Sequence, residues 1–244
     1  GDVVWRGALS RFPFDAGEAL FEARFRIDGA VVDYTPGWPR LEDGKLAVTF
    51  RNRALRVETE AGRLLDSAVE HLVVRIDDLA EATVKVEGRA KGPGATMWQA
   101  FQNSPAGRAL GEELPDLRID GAATLNLDLA IPLDPRPNQI QGTVELAGNK
   151  LRLPVWEIGL DSVRGEVRFT DNDLAAENIQ ALWRGEPIRL GLDLATGREG
   201  RRELRTRLQG RLALRDLLGE TGAALEPYVS GKTALAVALA VPTQ

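Results

Sequence analysis

The sequence predicts an all-β fold, a long curved antiparallel sheet forming a repeating β-groove, with one or two short helices. Three observations predict it. Apolar residues alternate with charged or polar ones at a period of two, Gly, Asn and Asp punctuate the alternation, and helical periodicity is confined to short stretches.

The first clear strand is Phe21-Glu22-Ala23-Arg24-Phe25-Arg26-Ile27, closed by Asp28-Gly29. Phe21 and Phe25 fall on one face and the charges on the other, as in a half-buried antiparallel strand. The pattern returns with Leu46, Val48 and Phe50, with Leu72, Val74 and Ile76, and with Val84 and Val86 around Lys85. Further on it runs through Leu125, Leu127, Leu129 and Ile131, then Val167 and Phe169. Leu190, Leu192 and Leu194 follow, then Leu204 to Leu214, and finally Leu235, Val237, Leu239 and Val241.

Two short helices are expected, as plugs at the edge or end of the sheet. Thr96 is placed to cap a helix carrying Trp98 and Phe101, with Ser104-Pro105 starting a second turn to Leu110; Leu214–Leu218 is the other candidate.

An internal repeat is legible. Gly29 precedes Phe50 by 21 residues and Gly148 precedes Phe169 by the same 21. Leu41 then matches Leu160, Val48 matches Val167, and Trp38 and Trp156 lie near the middle of each run. The stretch Gly121 to Pro132 matches Gly231 to Pro242 without a gap. This organises the chain as leading strands over 1–28, one unit over 29–134 and a second over 135–244. No Gly/Ser/Pro-rich linker divides them, so both units are expected in one continuous sheet.

Composition narrows the function. At 244 residues, 43% hydrophobic and 27% charged, the chain can bury a substantial core. A net charge of −5 with scattered basic residues argues against a phosphate-tracking surface, and the Arg198–Arg207 run is interrupted by acids and reads as a solvated hairpin tip. No nucleic-acid partner is expected. No Cys is present, which removes disulfides and thiolate chemistry. No apolar run is long enough to span a bilayer as a helix, and the start lacks a signal-peptide pattern, so the chain reads as a section of something longer.

Catalytic constellations are missing. The single His71 has no second His to share a metal and reads as a residue at a strand start. Asp77-Asp78, Glu112-Glu113 and Glu42-Asp43 are adjacent pairs, which point to opposite faces of a strand and read as solvated turns. Asp171-Asn172-Asp173 opens like a calcium loop but has Ala176 and Leu182 where that loop needs Gly and Glu, so it reads as a hairpin turn. No phosphate-binding glycine loop or Gly-x-Ser-x-Gly elbow occurs. We expect no enzyme, no cofactor and no metal. The aromatic run Trp5, Phe12, Phe14, Phe21, Phe25, Tyr34 and Trp38 reads as packing of the first hairpins, with a ligand surface as the alternative.

Trp5-Arg6-Gly7-Ala8-Leu9-Ser10-Arg11-Phe12-Pro13-Phe14 followed by Val32-Asp33-Tyr34-Thr35-Pro36-Gly37-Trp38-Pro39 resembles the YhdP branch of the AsmA-like proteins of Gram-negative bacteria. So do Ser104-Pro105, Ile131-Pro132-Leu133, Gly165 to Phe169, and Ala181-Leu182-Trp183-Arg184-Gly185, in that order. The resemblance implies a section of a long, inner-membrane-anchored protein whose periplasmic body is a curled sheet with an apolar trough, moving phospholipid towards the outer membrane. It supplies no catalytic residues.

A sheet dry on one face must cover that face with a second sheet, a helix or a ligand. The alternating residues Phe21, Phe25, Val48, Phe50, Val74, Ile76, Val84 and Val86 are therefore candidates to touch phospholipid acyl chains. Leu125, Leu127, Leu129, Val167, Phe169, Leu190, Leu192, Leu235, Val237 and Leu239 continue the set. The rest of the same long chain and other envelope proteins are the further partners. A closed structural β-sandwich or protein-interaction scaffold, and a carbohydrate-binding or carbohydrate-processing β domain, stay open beside this reading.

Overall fold

The computed structural model describes residues 1–8, 10, 12, 14, 19–33, 40–80, 83–103, 116–154, 157–196, 202–213 and 231–242. The elements in chain order are β1 (Asp2–Arg6), β2 (Leu20–Val32), β3 (Leu41–Arg51), β4 (Ala54–Leu64), β5 (Ser67–Ile76), β6 (Thr83–Pro93), α1 (Gly94–Asn103) and β7 (Arg118–Asp120). They continue with β8 (Ala122–Pro132), β9 (Gln139–Leu153), β10 (Ile158–Thr170), β11 (Leu174–Trp183), β12 (Glu186–Thr196), β13 (Arg202–Ala213) and β14 (Lys232–Pro242). All fourteen strands belong to one antiparallel sheet in which each strand pairs with its neighbour in sequence, β7 alone lying off the path against β9. The meander runs from β1 to β14 and does not close on itself.

Residue chemistry accounts for the hairpins. Arg184 and Gly185 both have positive φ between β11 and β12, the two-residue turn whose twist matches that of the flanking strands. At the β3–β4 turn Asn52 takes φ 49°, and its side-chain Oδ1 accepts from the backbone N–H of Phe21 at 2.8 Å while its own N–H donates to the Phe21 carbonyl. Asp171-Asn172 forms the β10–β11 hairpin, with the Thr170 hydroxyl accepting from the backbone of Asn172 and Asp173.

The strands are bent by bulges. Register shifts occur in β2 between Ile27 and Ala30, in β9 and β10 between Leu160 and Arg164, and in β11 between Ala176 and Ile179. An extra residue bends its strand and raises the local twist. Asp43 precedes Val48 by as many residues as Ser162 precedes Val167, and both take a left-handed φ, 52° and 53°. Gly29 and Gly148 likewise both have positive φ.

Several expectations are corrected. The helix begins at Gly94, directly after Pro93, two residues before Thr96. It does not sit at the edge of the sheet: it follows β6 and precedes β7 and β8, in the middle of the meander. His71 lies inside β5, exposed, beside the register shift that separates it from Val69. Glu42 and Asp43 sit within β3 at its bulge instead of in a turn, and Arg205 and Arg207 lie on β13 instead of at a hairpin tip. Leu214–Leu218, Ser104–Leu110, Glu112-Glu113, Trp38 and Trp156 fall outside the described residues.

Candidate functional site

Cross-strand partners in a sheet share a face, so the register identifies each face residue by residue. One line of partners passes from Phe25 through Val48, Val57, Val74, Val86 and Leu129 to Ile140, apolar at every step from β2 to β9. The next line passes from Ile27 through Leu46, Thr59, Leu72, Gly88, Leu127, Gly142, Phe169, Leu174 and Leu194 to Leu204. It crosses from β2 to β13 without meeting a charge. Ten strand spacings of about 4.8 Å make this band roughly 48 Å long.

The other candidates join the same face. Phe21 is opposite Trp5; Phe50 is opposite Ala23 and Leu55; Ile76 is opposite Leu55 and Val84 opposite Ile131. Leu125 pairs with Val144, which pairs with Val167; Leu192 is opposite Ala176, and Leu190 lies between Ile179 and Leu208. Leu235 is in register with Gly210, Val237 with Leu208 and Leu239 with Thr206. The structure thus brings every candidate onto one face of one sheet.

That face is only partly covered. Phe25 is 43% exposed and Ile27 39% exposed, and Phe50, Val57, Val74, Val86, Leu127, Val144, Val167, Leu190, Leu192 and Leu208 are half-buried. Residues of this size facing a second sheet would be sealed by interdigitation. Leu46, Val48, Leu129, Ile140, Phe169 and Leu194 on the same band are buried, as are Leu41 and Val69 on β3 and β5 and Leu160, Val163 and Ile179 on β10 and β11, where the bulges bend the strands.

Helix α1 covers the middle of the band. Its Phe101 ring lies 5.4 Å from that of Phe169 and packs with Leu129 and Ile140, Trp98 stacks on Phe101 at 5.6 Å, and Met97 packs against the cluster around Leu146 and Leu160. At the β1 end Trp5, Phe12, Phe14, Phe21 and Phe50 form a continuous ring cluster with centroids 5.3 to 6.1 Å apart. Phe14 is its buried member.

Large side chains lean over glycines on neighbouring strands and smooth the band. Phe169 lies over Gly142, Leu72 over Gly88 and Ile179 over Gly165; a Cβ on Gly142 would meet Phe169 Cζ at 2.6 Å. Glycine at these places lets the neighbour lie flat instead of standing as a ridge.

The opposite face is charged and internally paired. Arg75 bonds Glu87 at 2.9 Å, Arg89 bonds Glu70 at 3.0 Å and Arg56 bonds Glu58 at 2.7 Å. Hydrogen bonding to Glu166 and to Glu203 raises the pKa of Arg168 and Arg205 respectively. At the strand ends, Asp77 accepts from Lys85, Asp78 from the Ala80 backbone and from Arg53, and Asp134 from Arg136. These bonds hold all three carboxyls below the usual carboxylate value. Asp77, Asp78, Lys85 and Arg136 line a polar cleft that joins the β5–β6 and β8–β9 ends. Each acid there is held by a cation or a backbone amide, an arrangement suited to fixing loops.

Among the described residues no cluster of three His, Asp or Glu is placed to hold a metal, and no helix is long and apolar enough to cross a membrane.

The chain matches the family described as YhdP protein over residues 1–244. It is 28% identical over 195 residues to the intermembrane phospholipid transporter YhdP of Escherichia coli (strain K12), an alignment that takes in 80% of this chain and 15% of that protein. The chain therefore spans a small part of the length of the curated relative it matches. No solved structure matches it.

Proposed function

The chain belongs to the YhdP protein family, and from that premise we propose that it is a section of a periplasmic lipid-transfer conduit whose apolar sheet face shields phospholipid acyl chains between the inner and outer membranes. The observation that carries the reading is the band from Ile27 to Leu204, uncharged throughout and apolar or glycine at every strand but Thr59, with Leu46, Thr59, Phe169 and Leu194 buried and the other positions half-buried or exposed.

Each methylene moved from water onto such a surface contributes roughly 0.8 kcal/mol, so an acyl chain laid across several strands is held without a headgroup site. The lining repeats with little variation from strand to strand. A chain displaced by one spacing meets nearly the same environment, so no deep well stops it. The charged face, much of it ion-paired as at Arg75–Glu87 and Arg56–Glu58, stays in water. The section would work in line with the remainder of a long, inner-membrane-anchored chain and with other envelope proteins, and without catalysis. In this reading 1–28 supply leading strands and 29–134 and 135–244 two units of one trough; the positive φ shared by Gly29 and Gly148 supports a recurring bend rather than these bounds.

A closed scaffold is the competing reading, and the half-exposed Val and Leu side chains of the band count against it. Lipid extraction and mass spectrometry on the chain purified without detergent, beside an unrelated soluble β protein, separates the two. Phospholipid well above the control is expected. A stable, lipid-free protein that takes up no phospholipid from vesicles would sink the conduit reading.

A further inference from the structure

The apolar band runs on past α1 in both directions, yet its middle is taken up by the helix. Leu129, Ile140 and Phe169 are buried there, with Phe101 of α1 packed over them. Towards β6 the band continues through Leu127 and Val86, and towards β13 through Leu174, Leu194 and Leu204. Anything that moves along the band meets α1 before it reaches the other half.

The helix is held there by apolar contact. Among the described residues no side chain from Thr96 to Gln102 makes a hydrogen bond or ion pair with a strand. A polar tie is found at the start of the helix, where the Gly94 N–H donates to the Gly121 carbonyl at 2.8 Å. A Cβ on Gly94 would meet Ile119 Cγ2 at 2.5 Å, so this end is tightly packed. Farther along, Met97, Trp98 and Phe101 are only half-buried.

Two features make the docked helix easy to displace. The indole Nε1 of Trp98 is shut off from solvent and has no acceptor among the described residues. A buried donor without a partner costs stability that it regains on reaching water. The helix is also short, 10 residues, with no acid in its first turn and no base in its last, so little supports it away from the sheet. An acyl chain offers Leu129, Ile140 and Phe169 the same apolar contact without carrying a donor into it.

We infer, resting on the conduit reading, that Leu129, Ile140 and Phe169 form an acyl-chain seat that α1 fills in the lipid-free protein, and that phospholipid entering the seat displaces the helix about its Gly94 end. The unpaired Trp98 N–H keeps the closed state shallow. The empty band thereby keeps its middle out of water, and the occupied band is open from β2 to β13.

The test is hydrogen exchange on the 244-residue chain, alone and after incubation with vesicles of phosphatidylethanolamine and phosphatidylglycerol, with bound phospholipid measured by mass spectrometry. Lipid loading should speed exchange across 94–103 about tenfold or more while β8 to β10 keep or gain protection. A ligand ordinarily stabilises the structure it binds, so faster exchange in the helix is the distinguishing sign. Trp98→Phe keeps a ring on Phe101 and removes the donor; in the lipid-free chain it should slow exchange across 94–103 about fivefold or more and lower phospholipid uptake. Helix protection unchanged or raised in the lipid-loaded chain would overturn the displacement and leave the conduit reading standing. Exchange in Trp98→Phe no slower than in the unaltered chain would overturn the part given to its N–H. No phospholipid bound by the unaltered chain or by Phe101→Ala, in which the grip of the helix is cut, would sink the seat and the conduit together.

Discussion

Asn149 wraps its side chain around the bend at Gly121. Its Nδ2 donates to the carbonyls of Asp120 at 3.2 Å and Ala122 at 3.0 Å, on either side of a glycine whose φ is +96°. Its Oδ1 accepts from the Ala147 amide at 2.9 Å. β7 and β8 thereby run on along β9 although the chain turns sharply between them.

Asn149 is 2% exposed, so removing its amide strands two carbonyls and one N–H away from water. An unsatisfied buried polar group costs about 1–3 kcal/mol, and Asn149→Ala should lower unfolding stability by about 2–4 kcal/mol. Urea unfolding followed by circular dichroism measures it. A loss under about 0.5 kcal/mol would show that the bend holds without the side chain.

Leu127 and Asp128 face opposite ways on β8, Leu127 between Gly88 and Gly142 on the apolar band and Asp128 beside Gln141. Leu127→Asp should destabilise the chain by about 2–4 kcal/mol or abolish phospholipid uptake. Val237→Asp on β14 should act in the same direction. Asp128→Asn should be nearly silent, because an amide oxygen still accepts from Gln141. Asn126→Asp is a poorer control than alternation alone suggests: Asn126 donates to Glu145 at 3.2 Å, so a carboxylate there would lose a bond and face a like charge. Equal losses from Leu127→Asp and Asp128→Asn would overturn the face assignment.

Glycines on the band differ in what an added methyl meets. At Gly142 a Cβ would lie 2.7 Å from the Asn126 carbonyl as well as against Phe169, and backbone cannot retreat as a side chain can. At Gly88 the nearest atom is the end of Leu72, at 3.0 Å. Gly142→Ala should cost about 1–3 kcal/mol while Gly88→Ala changes stability by less than about 1 kcal/mol. Thermal unfolding of the two variants side by side checks the order.

Much of this face was legible because parity survives cross-strand pairing. Leu125, Leu127 and Leu129 alternate in sequence and remain co-facial in the sheet, as do Val48 with Phe50 and Val167 with Phe169. Leu212, Leu194 and Leu129, all deeply buried, were legible in the same way, whereas the buried residues beside the bulges were not. Ala176 and Ile179 share a face although three residues apart, since the bulge at Asn178 resets the phase; Val163 and Leu41 lie beyond similar bulges. Period-two reading assigns such residues to the wrong face or leaves them out. The place of α1 was also hidden, because the length and periodicity of a helix do not say which part of a sheet it lies on.

The acid end of the pH range tests the polar cleft. The Lys85 hydrogen bond lowers Asp77, the Ala80 amide together with Arg53 lowers Asp78, and Arg136 lowers Asp134, each from an ordinary value of 3.8. A carboxyl whose folded pKa lies below its unfolded one contributes stability that is fully present above the unfolded value and is lost as pH falls through the folded value. The melting temperature should therefore hold steady from pH 7 down to about 5 and fall below about 4. Asp77→Asn with Asp134→Asn should flatten that decline while lowering stability at neutral pH. An unchanged acid limb in the double variant would place the acid sensitivity elsewhere in the chain.

Phe101 is the residue through which α1 grips the band, touching Phe169 at 5.4 Å and Trp98 at 5.6 Å. Its truncation removes both ring contacts and the packing on Leu129 and Ile140. Phe101→Ala should cost about 2–4 kcal/mol if the helix stays docked. If the helix instead lifts, the global loss is smaller and apolar surface around Phe169 opens. Hydrogen exchange distinguishes the two, since a lifted helix loses protection across 94–103 while β8 to β10 keep theirs. In the conduit reading a lifted helix raises phospholipid uptake, because the middle of the band is the part that α1 covers. Phe101→Leu, which keeps an apolar contact with Phe169, should leave both exchange and uptake near those of the unaltered chain. Protection lost equally in the helix and in β8 to β10 would show that α1 is part of one cooperative core and not a separable cover.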